Sequence, residues 1–422
     1  MWLGEDVRLA VGAGTTGGGL GVDTRSTMTQ RVVIQWSLSS YYGWGIYGLN
    51  LALNWATDPA IEAISAADIR LDQISIDAVR RQALMPFFRR SIDLQAGFER
   101  FADRAVTADA PVLIALGNGF LGSTAAYNVT LDGRPSIGVI FFEDALDAAA
   151  LERARRFALV ITGSTWNEQL LRAYGVEPVR TVLQGVDPSH FHIAPKLGLM
   201  PNRFLIFSGG KAEIRKGQDL VLAAFKIFAT RHPEAVLVTA WHSPWPHLAR
   251  TLDRTGKAAP VAFNKSGAVD VHAWAHANGV RSNQVLDLGN VPNGLMPSVL
   301  REMSVAVFPN RAEGGTNLVA MECMACGLPV ILSRNTGHLD LIENDNCYPL
   351  DHQQPVAGAF AGVDGVSGWG ESDVEELVAR LEQVFSDPAQ AARRGQLAAD
   401  TLSKLSWAAT AAGVKKLVLE RA

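Results

Sequence analysis

Two glutamates, Glu313 and Glu322, fall in one short stretch, SVAVFPNRAEGGTNLVAMECMACGLPVILS (304–333), and three cations, Lys211, Arg215 and Lys216, fall in another, SGGKAEIRKG (208–217). A helix carboxylate can accept two hydrogen bonds from the vicinal hydroxyls of a sugar. Ammonium and guanidinium groups beside a glycine-bearing turn suit a phosphate. Together these residue types fit chemistry on a sugar joined to a diphosphate.

The surrounding sequence has to position them. The apolar run Ser304 to Pro309 reads as a strand, followed by a polar, glycine-bearing loop with Glu313 and a helix from about Thr316. Gly327 stops that helix, Pro329 bars its extension, and Val330-Ile331-Leu332 opens a second strand. A loop feeding a helix N-terminus seats an anion, here on Gly315, Thr316, Asn317 and Leu318. Glu322 then lies roughly 7–9 Å along the axis, beside a ribose whose phosphates sit at the helix mouth. Taken alone, a glutamate in the first turns of a helix also serves simply as a charge favoured by the dipole. The cationic stretch has the same strand–loop–helix setting, between a strand at Phe204–Ser208 and a helix at 218–231. A bare Arg-Lys-Gly reads first as a solvated loop; the recurrence of the geometry reverses that reading to phosphate binding.

Earlier in the chain, RVVIQW (31–36) predicts a first strand, and its loop carries Gly43 and Gly45 into an apolar helix over 46–55. Those glycines fit either a tight turn or close approach to a phosphate. Further strands are expected at Val112–Leu116, Ile137–Phe142, Ala158–Thr162 and Val179–Leu183. Glu143 and Asp144 end one of them, at the sheet edge where open α/β sheets bind ligands, and Asn118 ends another. After Phe204 the alternation resumes with strands at Ala235–Trp241 and Val285–Leu288, a long irregular insert around 250–283 and a helix at 295–302. Strands alternating with helices predict mainly parallel sheets covered on both faces.

The bulk properties agree with a folded α/β protein and exclude several classes. A chain of 422 residues with 48% hydrophobic content is long for one core. Its net charge of −4, with no lysine before residue 196, gives no basic field for nucleic acid. No apolar run reaches the ~18–20 residues of a membrane span. The first residues lack a signal peptide's basic and apolar regions, and with three cysteines a cytoplasmic setting is expected. Cys323 and Cys326 form C-x-x-C, read as small buried packing residues. Residues 1–28 contain Gly12-Ala13-Gly14-Thr15-Thr16-Gly17, but without a strand before it or a helix after it the segment reads as a flexible leader. Arg80-Arg81 and Arg89-Arg90 bracket Met85-Pro86-Phe87-Phe88, a composition that suits peripheral docking on the inner face of a membrane, against which Pro86 interrupts a clean amphipathic helix and Asp77 and Asp93 flank the patch.

The 304–330 stretch resembles the signature of the retaining GT-B glycosyltransferases of family four. There two glutamates flank a glycine-rich turn and a MA-x-G-x-P helix end, matched by Glu313, Gly314-Gly315-Thr316-Asn317, Glu322 and Met324-Ala325-Cys326-Gly327-Leu328-Pro329. The usual pattern has seven residues between the glutamates, whereas eight separate them here. Either the longer loop still brings Glu313 to the sugar or that role has moved; Glu322 carries over directly. Lys211 and Lys216 match the family's basic positions with spacing one residue tight, and Arg215 stands in reserve. Gln184-Gly185-Val186-Asp187 resembles the segment closing the first domain.

The resemblance implies the GT-B architecture: two Rossmann-like α/β domains facing across a cleft, with a last helix crossing back to the first. The expected boundaries are a leader over 1–28, an acceptor-side domain over 29–195, a nucleotide-sugar domain over 203–405 and the crossing helix over 406–422. It also implies retaining transfer of a hexose or N-acetylhexosamine from a UDP- or GDP-linked donor to a glycan, lipid-linked or protein acceptor. Glu313, Lys211, Lys216 and Glu143 are the expected catalytic residues. Glu322, Arg215, Gly315, Thr316, Asn317, Leu318, Gly43, Gly45 and Asp144 are the expected substrate contacts. No Asp-x-Asp pair occurs, so no metal is expected, and no cofactor is implied. His338 stands as a substrate contact or a turn histidine. A silent nucleotide-sugar-binding scaffold and a nucleotide-sugar epimerase are the alternatives.

Overall fold

The structure, a computed structural model, describes residues 8–9, 29–356 and 368–422. The glycine fingerprint at 12–17 and all of the expected leader except Arg8–Leu9 lie outside the described residues; Arg8–Leu9 is a short strand beside Ala105–Ala108.

β-branched and aliphatic runs build two six-stranded, wholly parallel sheets. The first runs, edge to edge, Ile61–Ser65, Gln30–Gln35, Val112–Leu116, Ser136–Ile140, Leu159–Thr162 and Val179–Thr181. The second runs Val285–Asp287, Ala235–Ala240, Phe204–Gly209, Val305–Phe308, Val330–Ser333 and Tyr348–Leu350. Their central strands are buried on both faces, which is why they read as continuous apolar runs rather than alternating ones. In each sheet the strand order reverses beside the first strand in sequence, and loops leaving the sheet there form a crevice. In the second sheet that point lies between Phe204–Gly209 and Val305–Phe308, whose following loops are the cationic and the two-glutamate stretches.

Ile61–Ser65 and the helix Ala78–Phe98 were not expected from the sequence. Pro86 sits inside that helix without ending it, and Phe87 and Phe88 are buried in the N-terminal core. Arg80 is held by Asp77 (2.6 Å) and Asp187 (2.9 Å), Arg81 donates to the Ile74 carbonyl (3.1 Å), and Arg90 lies beside Glu62 (3.7 Å). The expected membrane-docking patch is therefore corrected: its aromatics are core and three of its four arginines are tied to the protein. Among the described residues no helix is long and apolar enough to cross a membrane. The insert holds a 3-10 turn at Pro246–Thr255 and a short helix at Val271–Ala277, with Trp274 fully buried.

The last helix, Trp407–Leu419, packs on the first, Gly43–Trp55. Tyr47 and Trp407 stack at 5.6 Å, and the Trp55 indole donates to the Ala411 carbonyl (3.2 Å). The chain enters this helix against Gly185, where an added Cβ would meet the Ser406 backbone at 2.1 Å. Val414 is wholly buried in the N-terminal core. Val414→Asp should therefore destabilise the protein by more than about 3 kcal/mol through an unpaired buried charge, read by denaturant unfolding. A loss below about 1 kcal/mol would contradict this packing.

Candidate active site

The two loops at the reversal point of the second sheet are fastened to each other. Gly217, left-handed at φ 71°, ends the turn at Ile214–Lys216 and opens the helix Gln218–Arg231. A Cβ there would meet the Pro309 carbonyl oxygen at 2.5 Å, so only glycine lets the loops approach this closely. The Arg311 amide donates to the Arg215 carbonyl (2.7 Å), and the wholly buried Arg311 guanidinium reaches Asp219 (2.7 Å) and Glu371 (2.8 Å). Neither Arg311 nor Asp219 was singled out from sequence; nothing in their spacing marks a bidentate pair 92 residues apart.

On this frame the charged side chains converge. Glu313 accepts from Lys216 and Asn310 on one oxygen and from Arg215 (2.9 Å) on the other. Burial alone would raise its pKa, but Lys216 and Arg215 outweigh that and hold it at about 2. Arg215 also pairs with Glu213 and with Glu143 (2.9 Å), and donates to the Ala312 carbonyl (3.0 Å). Lys211 reaches Glu213 at 3.1 Å. Burial lowers the Lys216 ammonium below its ordinary range although Glu313 opposes that. Each lysine keeps two N–H donors beyond its glutamate, whereas Arg215 has nearly exhausted its five.

Glu143 comes from the other sheet. Its carboxylate meets Arg215 and accepts from the Gly314 amide (3.2 Å), while its carbonyl accepts from the Trp369 indole (3.0 Å). Burial holds its carboxyl above the usual range, with Arg215 pulling the other way. A Cβ on Gly314 would strike the Phe141 carbonyl carbon at 2.5 Å, so this glycine lets the two halves touch. The Ser40 carbonyl accepts from the Asn293 amide (2.7 Å) at the opposite rim, and Tyr42 and Trp245 meet edge to face at 5.6 Å.

Glu322 stands apart from the charge cluster. It is buried in the helix Leu318–Ala325, its carboxylate accepts among the described residues only from the Asn293 side chain, and burial pushes it up to about 8, with that bond pulling the other way. Asn317, left-handed at φ 65°, caps this helix by accepting from the Ala320 amide (3.4 Å). His338 is buried with Asn317 at 3.1 Å on Nε2 and the Ser333 carbonyl at 3.2 Å on Nδ1, and burial lowers it to about 4. It is a neutral buttress of the helix cap.

Between the sheets lies a cavity of about 310 Å³. Its wall includes Glu143, Lys211, Arg215, Lys216, Glu313 and Glu322, together with Gly43, Gly315, Asn317 and Leu318. Three expected contacts stand off that wall. Gly45 is closed by Ser39, whose Cβ lies 2.4 Å from where its own would be. Asp144 accepts from the Ala145 amide (2.7 Å), and Thr316 is buried against the Met321 sulfur (2.9 Å). The side chains of Asp144 and Thr316 are engaged locally, and Gly45 serves the packing against Ser39. Asn118 accepts from the Glu143 amide (3.1 Å) and so holds the loop behind it. Cys323, Cys326 and Cys347 are buried, and burial pushes the Cys326 and Cys347 thiols up to about 12.

Residues 295–414 match the profile described as "Family 4 Glycosyltransferase in conflict systems". The fold is GT-B, and the matched residues are similar to family-four glycosyltransferases. The D-inositol 3-phosphate glycosyltransferase 2 of Catenulispora acidiphila is 26% identical over 232 residues, covering 49% of this chain and 48% of the relative. The D-inositol 3-phosphate glycosyltransferase of Rhodococcus jostii is 25% identical over 265 residues, covering 61% and 51%. The chain thus spans about half the length of the curated relatives it matches. Among solved structures, sucrose-phosphate synthase from Thermosynechococcus elongatus superimposes with TM-score 0.60 at 15% identity, covering 93% of this chain and 98% of that one. Anabaena HepE in complex with UDP gives 0.57 at 14%, covering 93% and 100%. At such identities the likeness is one of fold.

Gly337 crosses the two-glutamate loop so closely that a Cβ would lie 1.7 Å from the Gly315 carbonyl oxygen, whereas Gly43 has open space. Gly337→Ala should lower stability by about 2 kcal/mol or more, and Gly43→Ala should change it by less than about 1 kcal/mol. Thermal unfolding of both variants checks the pair; equal effects would contradict the described loop packing.

Proposed function

We propose that the chain is a retaining glycosyltransferase that moves a hexose or N-acetylhexosamine from a UDP- or GDP-linked donor to an acceptor entering from the N-terminal half. One observation carries the reading: a helix carboxylate, a helix N-terminus and two lysines with spare donors face one cavity. Ribose hydroxyls would donate to Glu322. The diphosphate would lie between Lys211, Lys216 and the Gly315–Leu318 amides, where fixed donors stabilise the charge that develops on the leaving phosphate. Lys216 would feel that charge most directly, since Glu313 pins it in place. Glu313 and Glu143, both anchored by Arg215, would border the transferred sugar from the two halves, and attack would come on the face from which the phosphate departs. Contact between the halves at Gly314 and at Ser40–Asn293 would exclude water from the donor.

A second reading has an observation in its favour. Every cation of the cluster is already matched by a glutamate, as suits a nucleotide-sugar binder without transfer. Incubation with UDP- and GDP-sugars separates the two: release of free nucleotide supports transfer chemistry, and tight binding with no release supports the binder.

The Glu322 assignment has a pH signature. In the free protein Glu322 titrates near 8, and ribose hydroxyls favour the ionised form, so binding must expel a proton below that value. Affinity for UDP should therefore rise with pH up to about 8, by at most about tenfold per unit, and level off above it. Glu322→Gln should weaken binding about 10–100-fold above pH 8, remove this pH dependence and narrow its deficit at lower pH. Calorimetry over that range checks it; a pH dependence shared by both proteins, or equal affinity throughout, would contradict the assignment.

A further inference from the structure

The cavity continues past Glu322 to a wall that the transfer chemistry leaves unassigned. Asn293, the partner of Glu322, closes the loop that follows the strand Val285–Asp287, and Gly289, Asn290 and Val291 of that loop face the same cavity. Parallel pairing of this strand with Ala235–Ala240 brings His242 and Ser243 alongside. Asp287 accepts from the Thr239 hydroxyl (2.9 Å) and from His242 Nε2 (2.7 Å), which fixes the ring and leaves Nδ1 for a ligand. That pairing raises the His242 pKa, the Asp287 hydrogen bond being the main cause, and so favours the form in which both ring nitrogens carry protons.

This inference rests on the reading above, which puts ribose on Glu322 and diphosphate toward residues 209–217. The base then leaves the ribose away from the diphosphate, toward residues 289–291, and His242, bonded to Asp287 at the head of that loop, stands at its edge. We infer that His242, oriented by Asp287, is the residue that reads the nucleobase, donating from Nδ1 to an exocyclic carbonyl and so selecting uracil or guanine over adenine. Uracil and guanine present an oxygen acceptor where adenine presents an amino donor, and two donors facing each other in a partly buried site leave both unsatisfied. Asp287 acts through His242 as a positioning residue.

The test is calorimetric titration of the full chain with UDP, GDP and ADP. The wild type should bind UDP or GDP at least about tenfold more tightly than ADP. His242→Phe should bring the three affinities within about threefold of one another, while Glu322 and the lysines still hold the ribose diphosphate. His242→Gln, which keeps a side-chain N–H, should retain most of the preference and covers the case in which the phenylalanine variant does not fold. Asp287→Asn should reduce the preference with the imidazole still present. A preference unchanged in His242→Phe, or ADP bound by the wild type as tightly as UDP and GDP, overturns the inference alone. Failure of the wild type to bind any of the three overturns the underlying functional reading along with it.

Discussion

The structure depends on a buried knot of charge at Arg215. Three carboxylates, Glu143, Glu213 and Glu313, meet one guanidinium, with Lys216 and Lys211 completing the balance. Taking ions out of water costs several kcal/mol each, and removing one partner of a buried pair leaves another charge stranded at about 3–5 kcal/mol. Such a knot therefore tolerates little rearrangement. It fixes the loop at 209–217 against the loop at 309–317, and through Glu143 it fixes the N-terminal half against both. The same arrangement explains why lysine and arginine differ here: the rigid fork of Arg215 is spent on structure, while the lysines retain donors facing the cavity.

The two glutamates of the signature are placed in opposite electrostatic settings by a few residues of helix. Glu313 sits among cations and is held ionised at about 2, whereas Glu322 has one neutral amide for a partner and is raised to about 8. One carboxylate is a fixed negative charge that organises its neighbours. The other is a group whose ionisation awaits hydrogen-bond donors. Two carboxyl groups whose environments push their titration apart are a common way of dividing labour within one site.

Much of this was legible in the sequence because the signals were local. Strand–loop–helix alternation gave ten of the twelve strands of the two parallel sheets, all but Ile61–Ser65 and Tyr348–Leu350, and glycines at 314 and 327 marked a turn and a helix stop. Glu313, Glu322, Lys211 and Lys216 stood out as chemistry-bearing types next to such loops, and all four face the cavity. What the sequence concealed was long-range pairing. Arg215 looks like a free cation until Glu143 and Glu313 arrive from elsewhere in the chain. The Arg311–Asp219 pair and the His242–Asp287 pair have no spacing that announces them. Gly45 resembled a phosphate-loop glycine, but the close approach it permits is to Ser39. Pro86 resembled a helix breaker, yet packing of Phe87 and Phe88 carries the helix through it, an instance of tertiary burial overriding local propensity.

The central claim is that a helix carboxylate takes the ribose while lysines and a helix N-terminus take the diphosphate. The most direct test is a crystal structure of the protein with UDP bound. The account predicts both ribose hydroxyls within about 3 Å of the Glu322 carboxylate, and the diphosphate between Lys211, Lys216 and the amides of Gly315–Leu318. UDP seated elsewhere, with Glu322 still bonded only to Asn293, would contradict it.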